Sequence, residues 1–306
     1  MAGALRDIPV VWNGPGVLHV FTAEQRRRMA PALGAADYLS VRDRGSLALL
    51  APPEELSAAV VPDTIAELAR LWPLYTLDDA YGALMARKGF AADTPCLAFH
   101  VRNRSAANRP LGEIAGSLEA FADARGLTPM LVAIGQSHDD AELVRELSRH
   151  LRSPHVCLDD PASLREIAAA IAHARLFVGA SLHGYIASAA YDVPGVLVAR
   201  PSYRKFGGFL EHSGRPQDLV RDWSDAFGAA ARRLDEPRQR RIPERLLGDL
   251  DTHWQAVAAA IADPAARRAA RAKFLRHHVA TGVATDGAGW LLDPFLIRGG
   301  RTAGRG

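Results

Sequence analysis

Cysteine is nearly absent: Cys96 and Cys157 are the only two in 306 residues, which excludes a disulfide framework. Both lie inside apolar runs of strand length, as buried free thiols in a reducing compartment would, and a cytoplasmic location is the expectation. Long apolar runs are missing too. No stretch approaches the roughly 18 residues that span a bilayer, and the opening Met1-Ala-Gly-Ala-Leu-Arg-Asp has no apolar signal core. Any membrane contact is therefore expected to be peripheral, at the inner face. Charge of either sign is nearly balanced, 37 Lys plus Arg against 34 Asp plus Glu. No basic tract carries interleaved aromatics, which argues against nucleic acid, while the small cationic excess suits anionic small molecules or a lipid surface. Gly14 and Gly16 do not make a GxGxxG fingerprint, and there is no P-loop. His19, His138, His155, His173, His212, His277 and His278 lack the spacing to a second ligand that a structural zinc needs. No solenoid period is present. What remains is a chain with 48% hydrophobic content, long enough for two globular domains.

The pattern that is present alternates strands and helices. Ile8–Trp12, Tyr38–Val41 and Ala58–Val61 read as strands, with a helix capped near Thr22, a short helix through Leu47–Leu50, and a third that Thr64 can cap. Residues 75–95 read as a crossing between domains. A second α/β series follows, with strands at Cys96–Val101, Pro129–Ile134, His155–Leu158, Leu176–Ala180 and Val193–Ala199. Between them lie helices at Leu111–Ala124, Asp139–Leu151, and from Ser163 to His173. These long apolar strands without polar alternation suit parallel sheets covered on both faces. The fold class expected is α/β, with two Rossmann-like parallel-sheet domains. The boundaries expected are 1–80 for an N-terminal α/β domain, 81–220 for a Rossmann-like domain with the candidate site, 221–280 for C-terminal helices, and 281–306 for a disordered tail.

Chemistry concentrates at strand ends. In an open parallel sheet ligands collect at the carboxyl edge, and Leu176–Ala180 ends there in the turn Ser181-Leu182-His183-Gly184, which opens a helix. That helix start offers backbone N–H groups and a positive dipole end to an anion. His183 is the candidate acid/base group, with Ser181, Leu182 and Gly184 as its neighbours in the turn; the competing reading of His183 is a capping or packing residue. Arg102 ends the Cys96–Val101 strand on the same rim and suits a carboxylate or phosphate, unless it forms a surface ion pair. Arg42 and Asp43 end the second strand, as ligand contacts or as a mutual salt bridge or cap. Arg204 and Lys205 add cations after the last strand, as ligand contacts or as solvated side chains. His100, alternating with apolar neighbours, reads as a satisfied core histidine. Asp159-Asp160 reads as a cap before Pro161, or as a ribose or metal contact.

The run Phe177-Val-Gly-Ala-Ser-Leu-His-Gly-Tyr-Ile-Ala-Ser-Ala-Ala-Tyr-Asp-Val-Pro194 resembles the signature of the polysaccharide pyruvyl transferases. Four further pieces are similar in order: Tyr38–Ser46, Val60-Val-Pro-Asp63, the strand ending at Arg102, and Tyr203-Arg-Lys-Phe-Gly-Gly-Phe209. The resemblance implies a two-lobed, glycosyltransferase-B-like fold. It also implies transfer of the pyruvyl group of phosphoenolpyruvate to two sugar hydroxyls as a ketal, in assembly of a bacterial surface polysaccharide or its lipid-linked precursor. No cofactor is implied: phosphoenolpyruvate is the donor substrate, and the partner is a saccharide or lipid-linked saccharide acceptor. His183 would be the motif histidine and Arg102 the donor-binding arginine. Many members carry Arg before Leu-His-Gly; Ser181 removes that cation, for which Lys205 or Arg204 would substitute. The glycine-rich opening strand and helix usual in the family do not occur in this sequence, so the first domain is expected to be reduced, either because the chain is shortened at its start or because the lobe itself is smaller. The competing functions are a nucleotide-sugar-dependent glycosyltransferase of the same fold and a non-catalytic sugar- or anion-binding relative.

Overall fold

The computed structural model describes residues 8–289 except 18, 53–55, 108, 136–139, 203 and 238, and of Arg204 only the backbone. It contains two compact units, one formed by the chain up to Val61 together with the chain from Asp251, the other by Pro62–Leu250. These divisions differ from the boundaries at 80 and 220 read from the sequence. The stretch 75–95, read as a domain crossing, lies inside the second unit.

The first unit is built on a three-stranded parallel sheet, β1 (Val11–Trp12), β2 (Tyr38–Val41) and β3 (Ala59–Val60), in that order. Helix α1 (Ala23–Gly34) starts at Thr22, whose hydroxyl accepts from Gln25 N–H at 3.2 Å while Gln25 answers on Thr22 N–H at 2.9 Å. This reciprocal cap satisfies two backbone donors that a helix start otherwise leaves open. Helix α2 (Arg44–Leu50) starts at Asp43. Leu33, Ala36, Leu39, Val41 and Leu50 form the small core between these elements.

In the second unit a 3-10 turn, Thr64–Glu67, is capped by Asp63 rather than Thr64. Helix α3 (Asp78–Arg87) then leads into a six-stranded parallel sheet with order β6-β5-β4-β7-β8-β9. Its strands are β4 (Cys96–His100), β5 (Thr128–Val132), β6 (Val156–Leu158), β7 (Leu176–Gly179), β8 (Gly195–Val198) and β9 (Leu219–Val220). The connecting helices are α4 (Leu111–Arg125), α5 (Asp140–Ser148), α6 (Leu164–Ala172), α7 (Leu182–Ala190), α8 (Arg204–Ser213) and α9 (Trp223–Leu234). Period-2 alternation along β4 sends Cys96 and Ala98 into one core and Leu97 and Phe99 into the other. Every residue of β4, β7 and β8 is buried, as a sheet covered on both faces requires. The two-residue strand β9 is too short to show a period, and the sequence reading assigns no strand there.

The C-terminal helices expected within 221–280 include two long ones, α10 (Glu244–Ala262) and α11 (Arg268–Asp286), separated around Pro264. Pro264 ends the first because it has no N–H to give and disfavours helical backbone before it. Residues 281–286, placed in the expected tail, belong to α11, while 290–306 lie outside the described residues. From Asp251 the chain belongs to the first unit. There Arg271, 1% exposed, donates to Asp37 and to Pro264 O, and Arg267 donates to Gly34 O at 2.6 Å. His253 bridges Tyr38 Oη (3.0 Å) and Asn13 Oδ1 (2.8 Å). No helix among the described residues is long and apolar enough to cross a membrane.

The Arg271–Asp37 pair carries a test. Removing one partner of a buried pair strands the other, at a cost of about 3–5 kcal/mol. Arg271→Met should therefore lower stability by that order in urea unfolding, and Arg271→Met with Asp37→Leu should recover much of the loss.

Candidate active site

Strand order reverses between β4 and β7: the chain builds outward from β4 through β5 and β6, then returns to the other side of β4. At such a switch point the connections leave in opposite directions and open a crevice beyond the carboxyl ends of the two strands. His100 of β4 pairs with Gly179 of β7, and Ala180 N–H donates to His100 O at 3.1 Å. Two residues further on stand Arg102 on one side and Ser181 on the other. The structure thus brings Arg102 and the Ser181–Gly184 turn to one rim.

The turn divides its duties. Ser181, 1% exposed, caps α7 by accepting Gly184 N–H at 3.3 Å. Leu182 is a core residue, 4% exposed. Gly184 is required by packing, since a Cβ there would sit 2.6 Å from Ile134 Cδ1 and 2.7 Å from Phe177 Cζ. From Ser181 to Ala189 His183 is the one exposed residue, with 55% of its side chain open. Its Nε2 lies 3.5 Å from Asp63 Oδ2, and Asp63 is fixed in turn by accepting Ile65 N–H at 3.2 Å on its other oxygen. A carboxylate beside an imidazole orients the ring. The far part of α7 is tied down by Tyr185, whose hydroxyl donates to the fully buried Asp218 at 2.6 Å, a carboxylate also held by Arg215. Burial, then the Asp218 charge, pushes the Tyr185 hydroxyl far above its ordinary pKa, so it stays a donor.

Arg102 is half-buried, and its backbone is fixed by Ser105, whose Oγ accepts Arg102 N–H at 3.0 Å and donates to Arg102 O at 2.7 Å. The Ser105 carbonyl in turn takes the indole N–H of Trp223 at 2.9 Å. The Arg102 guanidinium has no hydrogen bond or ion pair among the described residues, and its Nε is buried without a partner. A cation held this way is prepared for an anionic ligand. His100, fully buried, is only half satisfied. Its Nε2 lies 3.1 Å from Asp140 Oδ2, while Nδ1 has no partner. Burial keeps His100 below its ordinary pKa, with Asp140 offsetting part of the effect. Burial opposes ionisation of Asp140 too, but the hydrogen bonds from His100 and Gly135 N–H (2.8 Å) and the Arg102 charge prevail and hold its carboxyl below the usual range.

The other expected contacts have these local surroundings. Asp43 caps α2, accepting Ser46 N–H at 2.6 Å and Ser46 Oγ–H at 3.0 Å, and Arg42 lies 3.7 Å from it and packs against Gly16, all within the first unit. The Arg204 side chain lies outside the described residues; Lys205 Nζ stands 5.5 Å from the Phe206 ring centre. Asp159 and Asp160 are neither a cap nor a ligand set but pair with Arg145 (2.6 Å) and Lys88 (2.6 Å) respectively. A cavity of about 670 Å³ opens at the opposite edge of the sheet, among the residues that precede β7 and β8, and receives neither Arg102 nor His183. Sequence reasoning did not single out Asp63, His100 as a polar partner, or Asp140. Asp63 was visible only inside the Val60-Val-Pro-Asp63 piece, and the other two depend on knowing which strands adjoin.

Two outcomes follow. Gly184→Ala should cost about 1–3 kcal/mol through overpacking, and Phe177→Leu in the same chain should relieve part of it, as read by urea midpoints. For His100, whose folded pKa lies below its unfolded value of 6.5, the unfolded chain takes up the proton first. Stability is then full above about pH 6.5 and falls below it, at up to about 1.4 kcal/mol per pH unit. His100→Gln should remove that part of the slope between pH 7.5 and 5.

A family model described as polysaccharide pyruvyl transferase matches residues 2–202. No curated protein matches the chain. Among solved structures it is similar to the UDP-GlcNAc 2-epimerase of Methanocaldococcus jannaschii, 13% identical with a TM-score of 0.57 over 83% of this chain and 72% of that one. It is similar also to S. aureus MnaA solved with UDP, at 14% identity and a TM-score of 0.50, over 81% of this chain and 63% of that one. The chain spans less than two thirds of that S. aureus protein and of a second M. jannaschii epimerase structure, 63% and 61% of their lengths. At these identities the likeness shows the fold: α/β, with parallel sheets. The matched span is well over half of the chain and contains Asp63, His100, Arg102, Asp140 and His183; the chain belongs to the polysaccharide pyruvyl transferase family.

Proposed function

We propose that this chain transfers the pyruvyl group of phosphoenolpyruvate to two hydroxyls of a saccharide, as a ketal, on a bacterial surface polysaccharide or its lipid-linked precursor. The observation that supports this reading most is the pairing, on one rim, of a guanidinium without a protein partner at Arg102 with an exposed histidine at the start of α7. The donor carries a phosphate and a carboxylate. Arg102 takes one of them, and the uncommitted Leu182 and His183 N–H groups at the helix start suit the other.

The reaction needs a proton delivered to the enol carbon, which leaves a cationic centre for the first hydroxyl to attack, and a base to take that hydroxyl's proton. The second hydroxyl then displaces phosphate and closes the ketal. His183, solvent-facing and set against Asp63, moves these protons, and Arg102 fixes the donor against it. Ser181 spends its hydroxyl on the helix cap, so it supplies no charge where many relatives carry arginine. The acceptor is met in the cytoplasm, at the membrane face if it is lipid-linked. A second reading comes from the structural relative solved with UDP: a nucleotide-sugar enzyme of the same fold.

The readings separate by thermal stability of the purified protein with phosphoenolpyruvate, UDP-sugars and GDP-sugars. A ligand at about 100 times its Kd adds roughly 2.7 kcal/mol, a shift of a few degrees. Phosphoenolpyruvate should give that shift, Arg102→Ala should abolish it, and His183→Ala should keep it while losing about 10²- to 10⁴-fold in turnover. Stabilisation by nucleotide sugars alone would replace the pyruvyl-transfer reading.

A further inference from the structure

Of the buried polar side-chain atoms without a partner, three belong to residues that act on one another under the crevice: His100 Nδ1, Arg102 Nε and Asp140 Oδ1. The first two residues share a face of the β4 extension. The third opens α5 and reaches His100 across the sheet edge. An ionised carboxylate only accepts hydrogen bonds, so His100 presents Nε2–H to Asp140 and keeps Nδ1 as a bare lone pair. Gly135 N–H completes the hold on the same Asp140 oxygen.

Two neutral donors orient a carboxylate but do not balance its charge, and a buried anion without a counter-charge is costly. Arg102 lies two residues beyond His100 on the same face of the strand extension, and His100 is in contact with Asp140, so Arg102 is a neighbouring cation. Among the described residues no Arg102 nitrogen comes within ion-pair distance of Asp140, and the guanidinium has no other partner. The two charges are therefore neighbours, with His100 between them in the chain of contacts, that do not touch. A partner in contact would occupy the fork and block a ligand; one held back leaves every donor open while lowering the local positive potential.

We propose that Asp140, oriented by His100, is a positioning residue that sets the anion affinity of Arg102, weakening its hold on phosphate so that the inorganic phosphate formed in each turnover can leave. This rests on the reading that Arg102 binds the donor's anionic group. A neighbouring unit charge that is not in contact, at the effective dielectric of about 20 that suits protein sites, changes binding by roughly tenfold.

The test is the binding of inorganic phosphate to the full chain by calorimetry at fixed ionic strength. Asp140→Asn, close in shape and without the charge, should bind phosphate about tenfold more tightly, and Asp140→Glu should return it toward the parent value. The gain should vanish in an Arg102→Gln background. In turnover, Asp140→Asn should lower KM for phosphoenolpyruvate together with kcat, a pattern that loss of folding alone does not give. Unchanged or weaker phosphate binding by Asp140→Asn overturns the inference and leaves Arg102 as the anion holder. Binding indifferent to Arg102→Gln overturns that underlying reading and the inference with it. Should Asp140→Asn not fold, ¹⁵N resonances of the His100 ring in the unaltered protein decide: phosphate at saturation must shift them, and no shift overturns the inference.

Discussion

The pairing of β4 with β7 is the constraint on which the site depends. Gly179 has no side chain because a Cβ there would fall 2.9 Å from His100 Cβ and 3.0 Å from its carbonyl oxygen. Only a bare backbone lets the two strands run together to their ends, with Ala180 N–H still bonded to His100 O. From that lock the chains diverge, one into Arg102 and the other into the α7 turn. The same economy of space recurs one turn later, where Gly184 lies on Phe177 and Ile134. With Leu182, Tyr185 and Ile186 all drawn into the core, His183 is left facing outward. Its position is thus inherited from packing, and a volume change beneath the helix would reach it without touching a polar atom.

Much of this could be read from the sequence, because it rests on local signals. The apolar runs at 96–101, 176–180 and 193–199 marked the strands within a residue or two, and Ser163 and Thr22 announced their helices by capping chemistry, whereas at α7 the cap is Ser181 and not His183, to which the sequence reading attaches the capping alternative. Arg102 and His183 could be placed on one rim because strands of a parallel sheet share a carboxyl edge. What the sequence withheld was adjacency. His100 looks like any apolar-flanked strand residue until β4 is known to lie at the reversal of strand order, and Asp140 is 40 residues away from it. Asp63 precedes Thr64, and both residue types cap helices; nothing local says which one does so while also facing a histidine 120 residues on. For Arg42 and Asp43 the sequence offered both a ligand contact and a mutual salt bridge or cap, since strand-end polarity serves either purpose, and the cap is present: Asp43 starts α2.

The site also shows how a short polar residue changes an electrostatic plan. Ser181 satisfies a helix donor and is consumed in doing so, whereas an arginine at that position would have brought a mobile cation to the rim. The backbone N–H groups that open α7 are, by contrast, rigidly held. Such fixed donors lose little freedom when a ligand arrives, which favours selection by geometry over capture by flexible side chains.

The first unit is discontinuous: its strands come from the opening of the chain, and the buried Arg271 that pairs with Asp37 arrives 234 residues later. During synthesis every strand of the second sheet leaves the ribosome before α11 exists. The unit at the amino terminus is therefore the last to be finished, and β1 to β3 must wait, with Asp37 unpaired and part of their apolar surface open, while the later-encoded sheet is already complete. Vectorial assembly runs here from the middle of the chain outward, and the nascent amino-terminal segment is the part most in need of protection until α11 has emerged.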